Sequence, residues 1–206
     1  MTDPRPGRVE AVLCDVDNVI RFYDVSEVTA LERAAGLAEG TTLKVAFAPE
    51  NDLPLMLGRI DMDEWVHCIV GSLRGAVPEP VAYKLGDALA GAPFHADDTV
   101  VGLLRRARAR VPLVLVSNAS VRLEADLAAL GLDDLADHVV SSARVGLAKP
   151  DPRILHLAAG RAGAAAEHCL FVDDTLENVE AAAALGMRGV HFRTPADLES
   201  ALAPLL

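Results

Sequence analysis

Val12-Leu13-Cys14-Asp15-Val16-Asp17-Asn18-Val19-Ile20 is an apolar run that stops on two carboxylates and then resumes. The run starts at Val9, and Val9–Cys14, apolar apart from Glu10, has the mainly apolar, β-branched character of a strand covered on both faces. Val111–Val116, His138–Ser141, Cys169–Val172 and Arg188–Phe192 share that character. Helical patterns lie between most of them. Asp97 or Asp98 can cap a helix running to about Arg110, whose basic end suits the helix dipole. Others run roughly over Ser120–Leu130, Pro152–Ala162 and Leu176–Leu185, each closed by a nearby Gly. Thr194-Pro195 opens the last, with Thr as N-cap and Pro at the first helical position. Strand alternating with helix predicts an α/β fold, a doubly wound parallel sheet covered on both faces.

One interval breaks the rhythm. From Asp17 to Ser117 is 100 residues, whereas a strand–helix–strand unit needs only about 30. The excess, roughly Phe22 to Phe94, holds helical patterns and no convincing strand. Asp61-Met62-Asp63-Glu64 resembles a capping box, and Trp65, Ile69 and Leu73 follow at helical spacing. The expected organisation is a core domain of residues 1–20 and 95–206 carrying an all-helical insertion of residues 21–94.

A net charge of −11 argues against nucleic acid and anionic membranes as partners, since both need basic surface. Cys14, Cys68 and Cys169 are too few and too scattered for a disulfide scaffold or a zinc site. Met1–Glu10 has no apolar signal region, and no apolar stretch is long enough to cross a bilayer. The expected location is the cytoplasm.

In doubly wound sheets, ligands bind at the carboxyl ends of the strands. Those ends carry Asp15-Val16-Asp17-Asn18, Ser117-Asn118 and Asp173-Asp174, and the loop Gly146-Leu147-Ala148-Lys149-Pro150 adds one lysine. Singly, each has an ordinary reading: an acid pair caps a helix, Ser-Asn makes a turn, a loop lysine is solvated. Jointly they bring four carboxylates to neighbouring strand ends. Two like charges 4 Å apart repel by about 4 kcal/mol at an effective dielectric of 20. Such a cluster needs a cation, and oxygen ligands without His or Cys point to a hard ion such as Mg²⁺. With that ion and Lys149 the cluster retains about one negative charge. A phosphate dianion then enters only by lying against metal and lysine, which suits phosphoryl transfer.

The four segments, in order, resemble the motifs of the haloacid dehalogenase-like superfamily: VLCDVDNVI the first, VLVSNAS the second, GLAKPDP the third and LFVDDTLENVEAAAALG the fourth. The resemblance implies a Rossmann-like core, with the insertion as the helical cap that one subclass carries after the first motif. It makes Asp15 the nucleophile, forming an aspartyl phosphate, and Asp17 the general acid/base. The Asp15 side chain, the Asp17 backbone carbonyl and the Asp174 side chain would ligate Mg²⁺, with Asp173 acting through a water. The Ser117 hydroxyl and the Asn118 backbone N–H would hold phosphate oxygens. Lys149 would neutralise phosphate and nucleophile together. Family dehalogenases lack the second aspartate of the first motif, so Asp17 favours phosphoryl over halide chemistry.

The family commonly has Gly where this chain has Asn18, and Asn tolerates a left-handed backbone better than most residues. Asn18-Val19-Ile20 and the DDTLEN segment resemble a branch that includes sugar-phosphate phosphatases and the phosphatase domain of soluble epoxide hydrolases. Asn178 stands where many members have another acid, which suggests second-layer hydrogen bonding. The implied activity is Mg²⁺-dependent hydrolysis of a small phosphomonoester, with a sugar phosphate as one candidate. A phosphomutase of the same superfamily and a non-enzymatic phospho-aspartate switch are the alternatives. The cap would decide substrate. Arg59, Arg74 and Lys84, with Arg21 and Tyr23 in the linker, are candidate anion or sugar contacts, ordinary surface charge being the alternative for each. His67, His95 and His156 have no partner at metal-ligand spacing.

Overall fold

The computed structural model describes residues 8–206, so the Met1–Gly7 part of the N-terminal reading lies outside the described residues. The chain divides into two compact units, one running to Phe22 and resuming at Ala96–Leu206, the other Tyr23–His95.

The chain enters through β1 (Ala11–Cys14) and β2 (Arg21–Tyr23). Five helices follow: α1 (Ser26–Ala34), α2 (Thr41–Ala46), α3 (Pro49–Met56), α4 (Met62–Ser72) and α5 (Glu79–Ala90). Next come β3 (Phe94–Ala96), α6 (Asp98–Arg108), β4 (Leu113–Ser117), α7 (Leu123–Ala129), β5 (His138–Ser141) and α8 (Ser142–Val145). The chain ends with α9 (Pro152–Ala162), β6 (Cys169–Asp173), α10 (Leu176–Ala184), β7 (Arg188–His191) and α11 (Pro195–Leu202).

The main sheet has the order β5-β4-β1-β6-β7 with every pair parallel. The pleat sends alternate side chains to opposite faces. Val12, Cys14, Leu113, Leu115, Leu170 and Val172 join one core with Leu104 of α6 and Leu198 of α11. Ala11, Leu13, Val114, Val116, Cys169 and Phe171 join the other with Ile154 and Leu155 of α9. Both faces are therefore dry, which is why these strands read as continuous apolar runs. From β1 the chain winds outward through β4 and β5, then returns to β6 on the other side. The order reverses between β1 and β6, and their carboxyl ends flank the crevice where such sheets bind ligands.

The helix boundaries follow their caps. The Asp97 carboxylate accepts from the N–H groups of Thr99 and Val100 at 2.8 and 3.0 Å, and Arg105, Arg106 and Arg108 occupy the last turn of α6. Helix α9 matches its expected span, from the Asp151 cap to the left-handed Gly163. Helix α7 begins three residues later than the Ser120 expected. There Ser120 Oγ accepts from Arg122 N–H, while Ser142 Oγ and Ser141 Oγ donate to Ala119 O, and these side-chain bonds hold the segment as a loop.

In the helical unit, Trp65, Ile69 and Leu73 are buried together with Val28, Leu55, Leu85 and Leu89. The Asp61–Glu64 capping box is formed at the start of α4. No strand was expected in this interval, yet β2 and β3 pair with one another. At three residues each, they carry too little pattern to read.

Asp52 on α3 is an exception within this core. Its Oδ1 is buried with no hydrogen-bond partner among the described residues, and burial pushes the carboxyl up to about 6. The folded state thus binds this proton more tightly than the unfolded state. Stability falls as pH rises from about 4 to about 6, and the whole cost is present above that window. Asp52→Asn is expected to gain about 1 kcal/mol, a few degrees in Tm, at pH 8 and little at pH 4. Thermal melts at the two pH values check it.

Candidate active site

The end of β1 is built as a tight turn around one carbonyl. Val16 O accepts from the N–H groups of Ile20 and Arg21 at 2.8 and 2.9 Å, and Asn18 N–H donates to Arg21 O at 2.9 Å. Asn18 takes φ +60, the one left-handed non-glycine among the described residues. Its Nδ2 also donates to Asp174 Oδ2 at 3.1 Å, so it ties the β1 loop to the β6 loop.

Asp15 extends β1 by one residue, its N–H donating to Val172 O of β6. Its Oδ1 receives the Val16 N–H at 2.7 Å and Lys149 Nζ at 2.8 Å. Two donors on one oxygen fix the plane of the carboxylate. The same ammonium donates to Asp173 Oδ2 at 2.7 Å and lies 5.9 Å from the centre of the Phe171 ring. Asp173 is fully buried, and its Oδ1 accepts from Asn178 Nδ2 at 3.0 Å and Thr175 N–H at 2.9 Å. Asn178 thus hydrogen-bonds an acid of the cluster from one layer behind it.

Burial pushes the Asp15 carboxyl up to about 7 against the opposing pull of Lys149. Burial alone would depress the Lys149 ammonium, but Asp15 and Asp173 hold it above its ordinary value.

The second strand end behaves differently from expectation in one detail. The Asn118 side chain donates from Nδ2 to Lys149 O at 2.9 Å and accepts from Lys149 N–H at 2.7 Å. It braces the lysine loop, a role its sequence position did not reveal. Ser117 Oγ is buried and has no hydrogen-bond partner among the described residues. A buried hydroxyl left unpaired costs about 1–3 kcal/mol, so a ligand oxygen there would be well received.

Asp15, Asp173 and Asp174 each offer an oxygen, all within 4.8 Å of one another. The Asp17 carboxylate does not join them. It is held by Arg21, from Nε to Oδ1 at 2.7 Å and from the second terminal nitrogen to Oδ2 at 3.0 Å. The other terminal nitrogen of Arg21 reaches Asp126 Oδ2 on α7 at 2.8 Å. Arg21 is only 2% exposed, so it is neither surface charge nor an open anion contact, as the sequence had allowed. Its partnership with Asp17 was hinted at only by opposite charges four residues apart. Asp126 carried no signal at all. His191, also missed, has Nε2 2.9 Å from Asp174 O.

The sequence model of the haloacid dehalogenase-like hydrolases matches residues 9–186. The chain belongs to that family. Phosphatase MT3486 of Mycobacterium tuberculosis is 38% identical over 195 residues, covering 87% of this chain and 85% of its own. Haloacid dehalogenase-like hydrolase domain-containing protein 3 of Mus musculus is 31% identical over 198 residues, covering 85% and 77%. A family enzyme from Bacteroides thetaiotaomicron, solved in complex with magnesium and inorganic phosphate, shares the fold with a TM-score of 0.66 at 18% identity, covering 87% and 91%.

The donor set of this haloacid dehalogenase-like site fits magnesium. It is made of oxygens alone, as a hard cation requires. Asp174 is partly exposed, whereas both oxygens of Asp173 are already occupied by protein donors. That difference suits direct ligation by Asp174 and contact through water for Asp173.

Proposed function

We propose that this hydrolase is a Mg²⁺-dependent phosphatase that transfers the phosphoryl group of a small phosphomonoester to Asp15 and then to water. The observation that carries the reading is the buried Asp15 carboxylate, fixed by Lys149 at 2.8 Å within an all-oxygen cluster. The named phosphatase relative, 38% identical over most of both chains, supports the reaction class.

Asp15, the Asp17 carbonyl and Asp174 would hold Mg²⁺, with Asp173 reaching it through water. Bound there, the cation would neutralise the carboxylates and the charge developing on the phosphate oxygens. Asp15 attacks phosphorus, and Asp17 passes a proton to the leaving oxygen. Asp17 then takes a proton from the water that releases phosphate from Asp15. Ser117 and the Asn118 N–H orient the phosphate, and Lys149 offsets its charge. The superfamily resemblance makes the inserted residues 21–94 the cap that chooses the ester, a sugar phosphate being the first candidate.

Phosphate release from a panel of sugar, nucleotide and other small phosphate esters tests this. Release is expected with magnesium and loss to background with a chelator. No release from any ester in magnesium would overturn the proposal.

A further inference from the structure

A buried arginine is costly to desolvate and persists only when its charge and donors are matched. Arg21 is matched by two carboxylates, Asp17 four residues back and Asp126 on α7, 105 residues away. The turn itself does not need this side chain. The backbone bonds around Val16 O and the Asn18–Arg21 bond already close it. What the guanidinium determines is the direction of the Asp17 carboxylate, because it takes both oxygens in a fork at 2.7 and 3.0 Å. Asp126 holds the far edge of that fork at 2.8 Å. The Asp17 carboxylate is 29% exposed while its anchor is 3% exposed, so it has a solvent-facing side and a locked side.

We propose that Arg21, itself oriented by Asp126, is the positioning residue for Asp17. The pair keeps the Asp17 carboxylate out of the metal cluster and aimed for proton transfer, which rests on the reading of Asp17 as the proton carrier. Each carboxylate oxygen has two lone pairs, and the fork occupies one on each. One remains free to carry the proton. In attack, the bond from Asp15 to phosphorus forms as the ester P–O bond breaks, and the Asp17 proton goes to the leaving oxygen. In breakdown, water oxygen bonds to phosphorus as the Asp15–phosphate bond breaks, and the water proton goes to Asp17.

The two steps separate with p-nitrophenyl phosphate, whose leaving group needs no proton. In Arg21→Met, rapid-mixing kinetics should show the first-turnover release of p-nitrophenol at its wild-type rate constant. The following steady state should be slower by about 10–100-fold, the loss that a misplaced reacting group brings. With an alkyl phosphate, both phases should slow. Asp126→Ala, which leaves Arg21 and Asp17 in place, should show the same pattern with a smaller loss, and it serves if Arg21→Met does not fold. Asp126→Asn keeps an acceptor for Arg21 and should recover most of the activity. Equal slowing of both phases with p-nitrophenyl phosphate, or no slowing, would overturn the proposal. If the wild-type chain releases phosphate from no ester, the phosphatase reading fails instead.

Discussion

Asp15→Asn is expected to abolish phosphate release, lowering kcat by at least about 1,000-fold, as loss of a covalent nucleophile does. The substitution preserves shape and removes the attacking charge. It should also make the metal-free protein more resistant to heat at neutral pH. Burial raises the Asp15 carboxyl to about 7 in the folded state, well above its ordinary value. The folded chain therefore favours the protonated form, and the cost of the ionised form accumulates as pH rises from about 4 to about 7. A neutral amide avoids that cost, so the stability difference should grow over this range and shrink below it. Activity and stability then move in opposite directions, which misfolding cannot produce. Phosphate assays and metal-free melts across this pH range check both halves. Undiminished turnover would remove Asp15 from its role.

Lys149→Met should damage both properties together. The ammonium is shared by two buried carboxylates at 2.8 and 2.7 Å. Removing it leaves Asp15 without its only cation among the described residues, while Asp173 keeps the Asn178 and Thr175 donors. Breaking a buried pair in this way costs about 3–5 kcal/mol, and the lost stabilisation of phosphoryl charge should lower kcat by about 100–1,000-fold. Adding Asp15→Asn to Lys149→Met should restore part of the stability and none of the activity. That non-additivity, read from denaturant unfolding of the two single variants and the double, measures the coupling across the pair. Full additivity would mean that the short contact carries little energy.

The residues involved in these two experiments were legible before any coordinates. Asp15, Ser117 and Asp173 stop apolar strands, and although each has an ordinary reading alone, their convergence with Lys149 at neighbouring strand ends points to a ligand site. The central strands were legible because both faces of the sheet are dry there. Ala11 and Leu13 serve one core while Val12 and Cys14 serve the other, so every position must be apolar. The caps at Asp61, Asp97 and Thr194 were legible because each acts on backbone within three residues of itself. Helix α8, four residues long, and the pairing of β2 with β3 were not, since segments so short have no periodicity.

The sequence by itself determined the strands of a parallel sheet, the helical character of the insertion and the residues of the Asp15, Lys149 and Asp173 cluster, because local pattern and strand-end chemistry suffice for these. Only the tertiary structure decided how the cluster is supported. Asn118 braces the Lys149 loop across 31 residues, Asn18 reaches Asp174 across 156, and Asp126 completes the Arg21 fork across 105. Hydrogen bonds between side chains so far apart leave no spacing in the chain. They exist only once the sheet has brought β1, β4 and β6 side by side.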